Sequence, residues 1–204
     1  MRKFAFIVIL LIAAVAACDR PPTPKEVPID HSNTDHSRMD HGSLQSSPGA
    51  ADAPYELQFI DSMIAHHQGA IDMARFVATR AQHEELKALA ANIITDQQRD
   101  IERMQEWRSK WFGTAAPAVN LNFPGMMEGM HGMDLEKLDP LKANAFDLEF
   151  IRQMIPHHEG AVTMAKDALQ KETNAEIKAL SQEIIKAQEN EIGEMKQWQA
   201  EWSK

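Results

Sequence analysis

One cysteine in 204 residues excludes an intrachain disulfide framework and any cluster of thiolate metal ligands. Aromatic residues make up only 6%. No basic patch stands out, and acidic residues outnumber basic ones by 30 to 21. That balance repels a phosphate backbone, so nucleic acid is not a partner, while cations are compatible with the surface. The longest apolar run, inside "MRKFAFIVILLIAAVAA" at residues 1–17, is short for a membrane span of about 20 residues. No Asp/Asn-rich loop of the EF-hand kind appears, so a hard-oxygen calcium site is not indicated. What remains is an apolar fraction of 44%, enough to bury a core, together with 12 methionines and 9 histidines.

Residues 1–17 begin with Arg2 and Lys3 and continue apolar to Ala17, which reads as an export signal; a retained anchor helix is the alternative. "VAAC" then ends at Cys18. It resembles the lipobox of bacterial lipoproteins, which implies lipidation of Cys18 and a lipid-anchored place in the cell envelope or periplasm. An ordinary cleavage site is the other reading. Residues 18–54 are rich in Pro, Ser, Asp and His and are expected to form a disordered tether.

The rest of the chain repeats itself. Residues 59–111 fall on 150–202 without a gap, at a constant offset of 91: Phe59 on Phe150, Met63 on Met154, His66 and His67 on His157 and His158. The correspondence continues through Met73 and Met164, Gln97 and Gln188, Met104 and Met195, to Trp111 and Trp202. Two long copies are too few for a solenoid, so a duplicated helical hairpin is expected, giving an all-α, four-helix bundle. Repeat 1 covers about 55–112, a crossover loop 113–139, and repeat 2 about 140–204. Helices are expected near 55–81, 83–112, 141–171 and 174–203. Asp139–Pro140 would start the third, and the capping box "TNAE" from Thr173 the fourth. Pro156 should kink the third helix. The crossover is long enough to span a helix of about 42 Å.

At about 100° per residue, Met63, His67, Ala70, Ala74 and Val77 share one face, with His66 about 60° from Met63. Asp61, Gln68 and Asp72 lie opposite. Both histidines therefore face the half that a bundle buries, and buried imidazoles need partners. Metal binding uses such nitrogens in their neutral form. Met63 reaches His66 at i+3 and His67 at i+4, so one turn offers sulfur and nitrogen together. Met73 lies about 10 Å further along the axis from His66, so the two share a site only if it holds several ions or Met73 pairs with another helix.

Two further segments carry the same donors. The tether has "DHSRMDHG", with His36, Met39 and His41, preceded by His31; the crossover has "GMMEGMHGM", with Met126, Met127, Met130, His131 and Met133. Both read as mobile Met/His segments; a flexible surface for protein contacts is the alternative. Thioether selects Cu(I), and imidazole suits Cu(II), zinc and nickel. The mixture, without cysteine and outside the cytoplasm, fits copper as Cu(I), Cu(II) or both.

"MIAHHQGAIDMA" and "MIPHHEGAVTMA" resemble the signature of the domain of unknown function 305 family, whose members include periplasmic copper-binding proteins of the CopM type. The resemblance covers about residues 55–203. It implies a ferritin-like four-helix bundle and metal ligation by Met63, His66, His67 and Met73, and by Met154, His157, His158 and Met164.

The leading expectation is therefore a non-enzymatic, envelope copper-binding protein that sequesters, buffers or transfers the ion, in exchange with another copper-handling envelope protein. A ferritin-like di-iron oxidase would need Glu-x-x-His on inward helix faces. Glu128 to His131, in the Gly-rich crossover, is the only such spacing. A structural or signalling lipoprotein is the third class.

Overall fold

The computed structural model describes residues 45–171 and 174–204. The expected export signal, Cys18, His31, His36, Met39 and His41 lie outside the described residues. Among those described, the regular structure is all helical: a 3-10 turn at Ala50–Asp52, then α1 Tyr55–Arg80, α2 Glu84–Phe112, α3 Met126–Met130, α4 Leu135–Leu138, α5 Ala143–Gln170 and α6 Ala175–Trp202. None of these helices is long and apolar enough to cross a membrane.

The four long helices are the two expected hairpins, α1–α2 and α5–α6, with α1 packed on α5 between them. Each copy ends in a stacked tryptophan pair, Trp107 on Trp111 and Trp198 on Trp202, both with ring centroids 5.4 Å apart. The buried side chains form two main groups. One combines Met73, Met154, Met133, Ile93, Phe146 and Met195. The other combines Phe59, Met63, Met164, Met126, Met104 and Ile184. Each draws on both hairpins, so burial of apolar surface, at about 25 cal/mol per Å², ties the copies together.

Local rules differ from the sequence reading at several places. The break between α1 and α2 lacks a side-chain cap of its own. Asp147, fully buried on α5, supplies one from a distance: its carboxylate accepts from the backbone N–H groups of Gln82 and His83 and meets His83 Nδ1 at 2.6 Å. His83 is in turn stacked on Trp202 at 3.8 Å. The cap of α6 is Asn174 rather than Thr173, its side chain accepting from Ile177 N at 2.9 Å. Asp139 and Pro140 do not open α5. They follow the short helix α4, whose cap is Asp134, and α5 starts at Ala143. It runs unbroken through Pro156 to Gln170.

The crossover is not a mobile loop. α3 and α4 lie on α5, and Met126, Met133 and Leu138 are buried. Glycines permit this approach. A β-carbon on Gly125 would stand 2.2 Å from Gly160 O, and one on Gly160 would stand 2.6 Å from Gly129 Cα. Gly125 also takes a left-handed φ of 86°, where a side chain is strained. Residues at equivalent positions hold the two ends of the crossover: Ser62 Oγ accepts from Asn120 N, and Gln153 Oε1 accepts from Asp134 N.

The start of the crossover also covers Asp61, which periodicity alone placed on the outer face. Its carboxylate takes Arg108 Nε at 2.7 Å and Ala118 N at 2.8 Å. Residues 45–54, read from composition as part of the tether, pack on this same segment. Ser47 N donates to Val119 O, Leu121 N donates to Ser46 Oγ, and Ala50 is buried with Leu57 and Ala118.

Candidate metal centre

The four motif histidines lie buried in the middle of α1 and α5, each with no exposed surface. Helical spacing puts them on the packed face, and the duplication brings the copies face to face. His66 and His157 meet with ring centroids 3.8 Å apart; His158 stands 6.1 Å from His157. Gly69 and Gly160, two residues beyond each His pair, let the crossover pass close. Met133 Sδ would lie 3.1 Å from a β-carbon at Gly69, and His66 Nε2 would lie 2.1 Å from one at Gly129 on α3.

Seven of the eight ring nitrogens have no hydrogen-bond partner: both of His66, both of His67, both of His157, and Nδ1 of His158. A buried polar group left unpaired costs about 1–3 kcal/mol, so this concentration is unusual for a core. Burial is the main cause that lowers the pKa of His66 and of His157 well below the ordinary histidine value; the neighbouring imidazoles lower both further. Both rings are therefore neutral, which is the ligating form.

The buried methionines fall into two groups, in a pattern that follows the duplication. Met63 of the first copy shares a buried group with Met164 of the second and Met126 of the crossover. Met154 of the second shares the other group with Met73 of the first and Met133 of the crossover. Met73 is thus buried in a group that includes residues of the other hairpin. Met130 packs against both groups. Met104 and Met195 are core residues in the same two groups. The structure does not bring Met127 or His131 to the seam: Met127 is half-buried outside both groups and His131 is exposed. Glu128, exposed beside it, is likewise remote from any inward helix face.

Polar residues that periodicity did not single out complete the surroundings. His158 Nε2 lies 2.8 Å from Glu191 Oε2 on α6, and His67 Nε2 lies 3.6 Å from Asp100 Oδ2 on α2. Asp100 and Glu191 occupy equivalent positions of the two copies. So do Gln97 and Gln188, buried one turn earlier and each with an unpartnered amide oxygen. The offset that aligns the histidines also aligns these pairs, and that was the available signal. Among the described residues no three His, Cys, Asp or Glu side chains converge as a metal site. An ion at this seam would therefore draw on thioether as well as imidazole, and the donors present suit a soft cation.

A family model described as "Domain of unknown function (DUF305)" matches residues 56–199. The chain belongs to this family. Among solved structures it is similar to CopM in the Cu(II)-bound form, at 44% identity and a TM-score of 0.63, over 72% of this chain and 97% of that one. CopM in the Cu(I)-bound form gives 42% identity and a TM-score of 0.62, over 74% and 99%. A putative secreted DUF305 protein from Streptomyces coelicolor is 30% identical, with a TM-score of 0.63, over 72% and 93%. A curated relative, the uncharacterized protein L153 of Acanthamoeba polyphaga mimivirus, is 40% identical over 57 residues. That match spans 27% of this chain and 38% of the viral protein, so the chain covers well under half of that relative.

Proposed function

We propose that this chain binds copper in the cell envelope and sequesters, buffers or hands over the ion rather than turning over a substrate. The observation that carries this reading is the concentration of seven unpartnered, buried imidazole nitrogens at one seam, with Met133 Sδ and His157 Nε2 both close beside Gly69. Imidazole accommodates Cu(II), and thioether favours Cu(I). The likeness to CopM, whose structures include both copper-bound forms, supports the same ion.

The ligands in this reading are His66, His67, His157 and His158 with Met63, Met164, Met73 and Met154. Met126 and Met133 join from the crossover, and Met130 lies between the two groups. α3 sits against His66 Nε2 through Gly129. Transfer would be ligand exchange, with His36, Met39 and His41 of the N-terminal segment as the first capture site. Lipidation at Cys18, following export, would hold the protein at a membrane surface.

Anaerobic titration with Cu(I), followed by native mass spectrometry, tests the proposal. Wild-type protein is expected to retain copper, and replacement of His66, His67, His157 and His158 by Ala is expected to remove the seam-bound ions with helicity preserved. Unchanged stoichiometry in that variant would refute the assignment. Bound iron with oxygen turnover would favour an oxidase.

A further inference from the structure

Each hairpin places one carboxylate from its second helix against the second histidine of its first helix: Asp100 against His67, and Glu191 against His158. The two arrangements are not equal. His158 Nε2 makes a hydrogen bond of 2.8 Å to Glu191, and its Nδ1 remains buried and unpartnered. A carboxylate accepts, so Nε2 carries the hydrogen and Nδ1 carries the lone pair. His67 Nε2 is 3.6 Å from Asp100, beyond a hydrogen bond, and both of its ring nitrogens are unpartnered.

Side-chain length accounts for the difference: aspartate is one methylene shorter than glutamate, so the carboxylate at the equivalent position stops short of the ring. Arg103 does not hold it back, since its guanidinium donates to Glu183 and Asp100 Oδ1 has no hydrogen-bond partner.

We propose that Asp100 and Glu191 are positioning residues that select the tautomer of His67 and His158, and that they do so unequally. Glu191 fixes His158 with Nδ1 as its donor atom; Asp100 leaves His67 free to exchange tautomers. His158 is therefore the better prepared of the two imidazoles, and a soft cation engages it before His67. The physical basis is general: a ligating imidazole whose other nitrogen is held by a carboxylate has its ring and tautomer set before the ion arrives. This inference rests on the copper-binding reading for its consequence, and its structural core is testable without metal.

The test has two arms, both on the full chain. In metal-free protein at pH 8, 15N imidazole spectra are expected to show His158 as a single Nε2–H tautomer and His67 as a mixture. Glu191→Ala should convert His158 to a mixture, Glu191→Gln should retain much of the bias through its amide oxygen, and Asp100→Glu should drive His67 to the Nε2–H form. His158 found as Nδ1–H, or indifferent to Glu191→Ala, overturns the proposal. In the second arm, Cu(I) is titrated against a competing chelator. Glu191→Ala should weaken Cu(I) binding by about 10- to 100-fold, and Asp100→Glu should strengthen it. If wild-type protein takes up no copper, the functional reading fails. If it takes up copper with an affinity indifferent to Glu191, the positioning role fails.

Discussion

His66 and His157, at equivalent positions of the two copies, face each other with ring centroids 3.8 Å apart, and neither ring has a hydrogen-bond partner. Two neutral imidazoles in contact inside a core make a donor pair for which protons would compete with any bound ion.

The first consequence is a pH dependence of the metal-free protein. The folded-state pKa values of His66 and His157 lie below the unfolded value because burial disfavours the charged ring. Below about pH 6.5 the unfolded chain binds more protons, so stability is full above that value and falls as the pH drops. The pair should contribute a loss of stability that steepens once the unfolded rings are protonated. Glu149, whose pKa is lowered to about 2 chiefly by its hydrogen bond to Arg152, adds its own loss only below the ordinary carboxylate range. Urea midpoints at pH 8, 6 and 5 check this. A flat profile between 8 and 5 would contradict it, and substitution of both histidines by Ala should flatten the curve.

The thioethers should matter to the ion far more than to the fold. Met63→Leu with Met164→Leu conserves volume in one buried group and should cost less than about 1.5 kcal/mol per substitution. Cu(I) binding should weaken by about tenfold or more, a change of about 1.4 kcal/mol, with a smaller effect on Cu(II), which relies less on sulfur. Competitive titration of both oxidation states decides it.

Equivalent glycines should respond unequally to alanine. At Gly160 a β-carbon meets backbone atoms of Gly125 and Gly129 at 2.6 Å, whereas at Gly69 it meets the flexible end of Met133 at 3.1 Å. Gly160→Ala should therefore destabilise by about 3 kcal/mol or displace α3. Gly69→Ala should stay within about 1 kcal/mol of wild type, since the helix gains what a Gly lacks. Denaturant unfolding of the two variants gives the comparison.

Asp147 should be a stability residue with no part in metal binding. Its carboxylate is buried and holds Gln82 N, His83 N and His83 Nδ1. Removing it with Asp147→Ala leaves those donors without their acceptor and should cost about 2–4 kcal/mol. Copper stoichiometry should be unchanged where the variant remains folded.

The four long helices and the inward aspect of the histidines were legible in the sequence because both follow from period and duplication. What was not legible depends on contacts between distant segments. Asp147 caps α2 across 64 residues, which no local motif encodes. The crossover reads as flexible by its Gly and Met content, yet Gly125, Gly129 and Gly160 use their missing side chains for close packing. Met126 and Met133 are thereby buried, while Met127 and His131, from the same run, stay outside the seam. Residues 45–54 look like tether by composition and are held by backbone and side-chain bonds to the crossover. Asp100 and Glu191 were visible only as an aligned acidic pair, because nothing in helix periodicity says which carboxylate meets which imidazole.

X-ray absorption on protein loaded anaerobically with one equivalent of Cu(I) examines the seam itself. The expected first shell contains both thioether sulfur and imidazole nitrogen, with the nitrogen contribution lost when His66, His67, His157 and His158 are replaced. A shell without imidazole, or one unchanged by those replacements, would place the ion elsewhere and contradict the proposal.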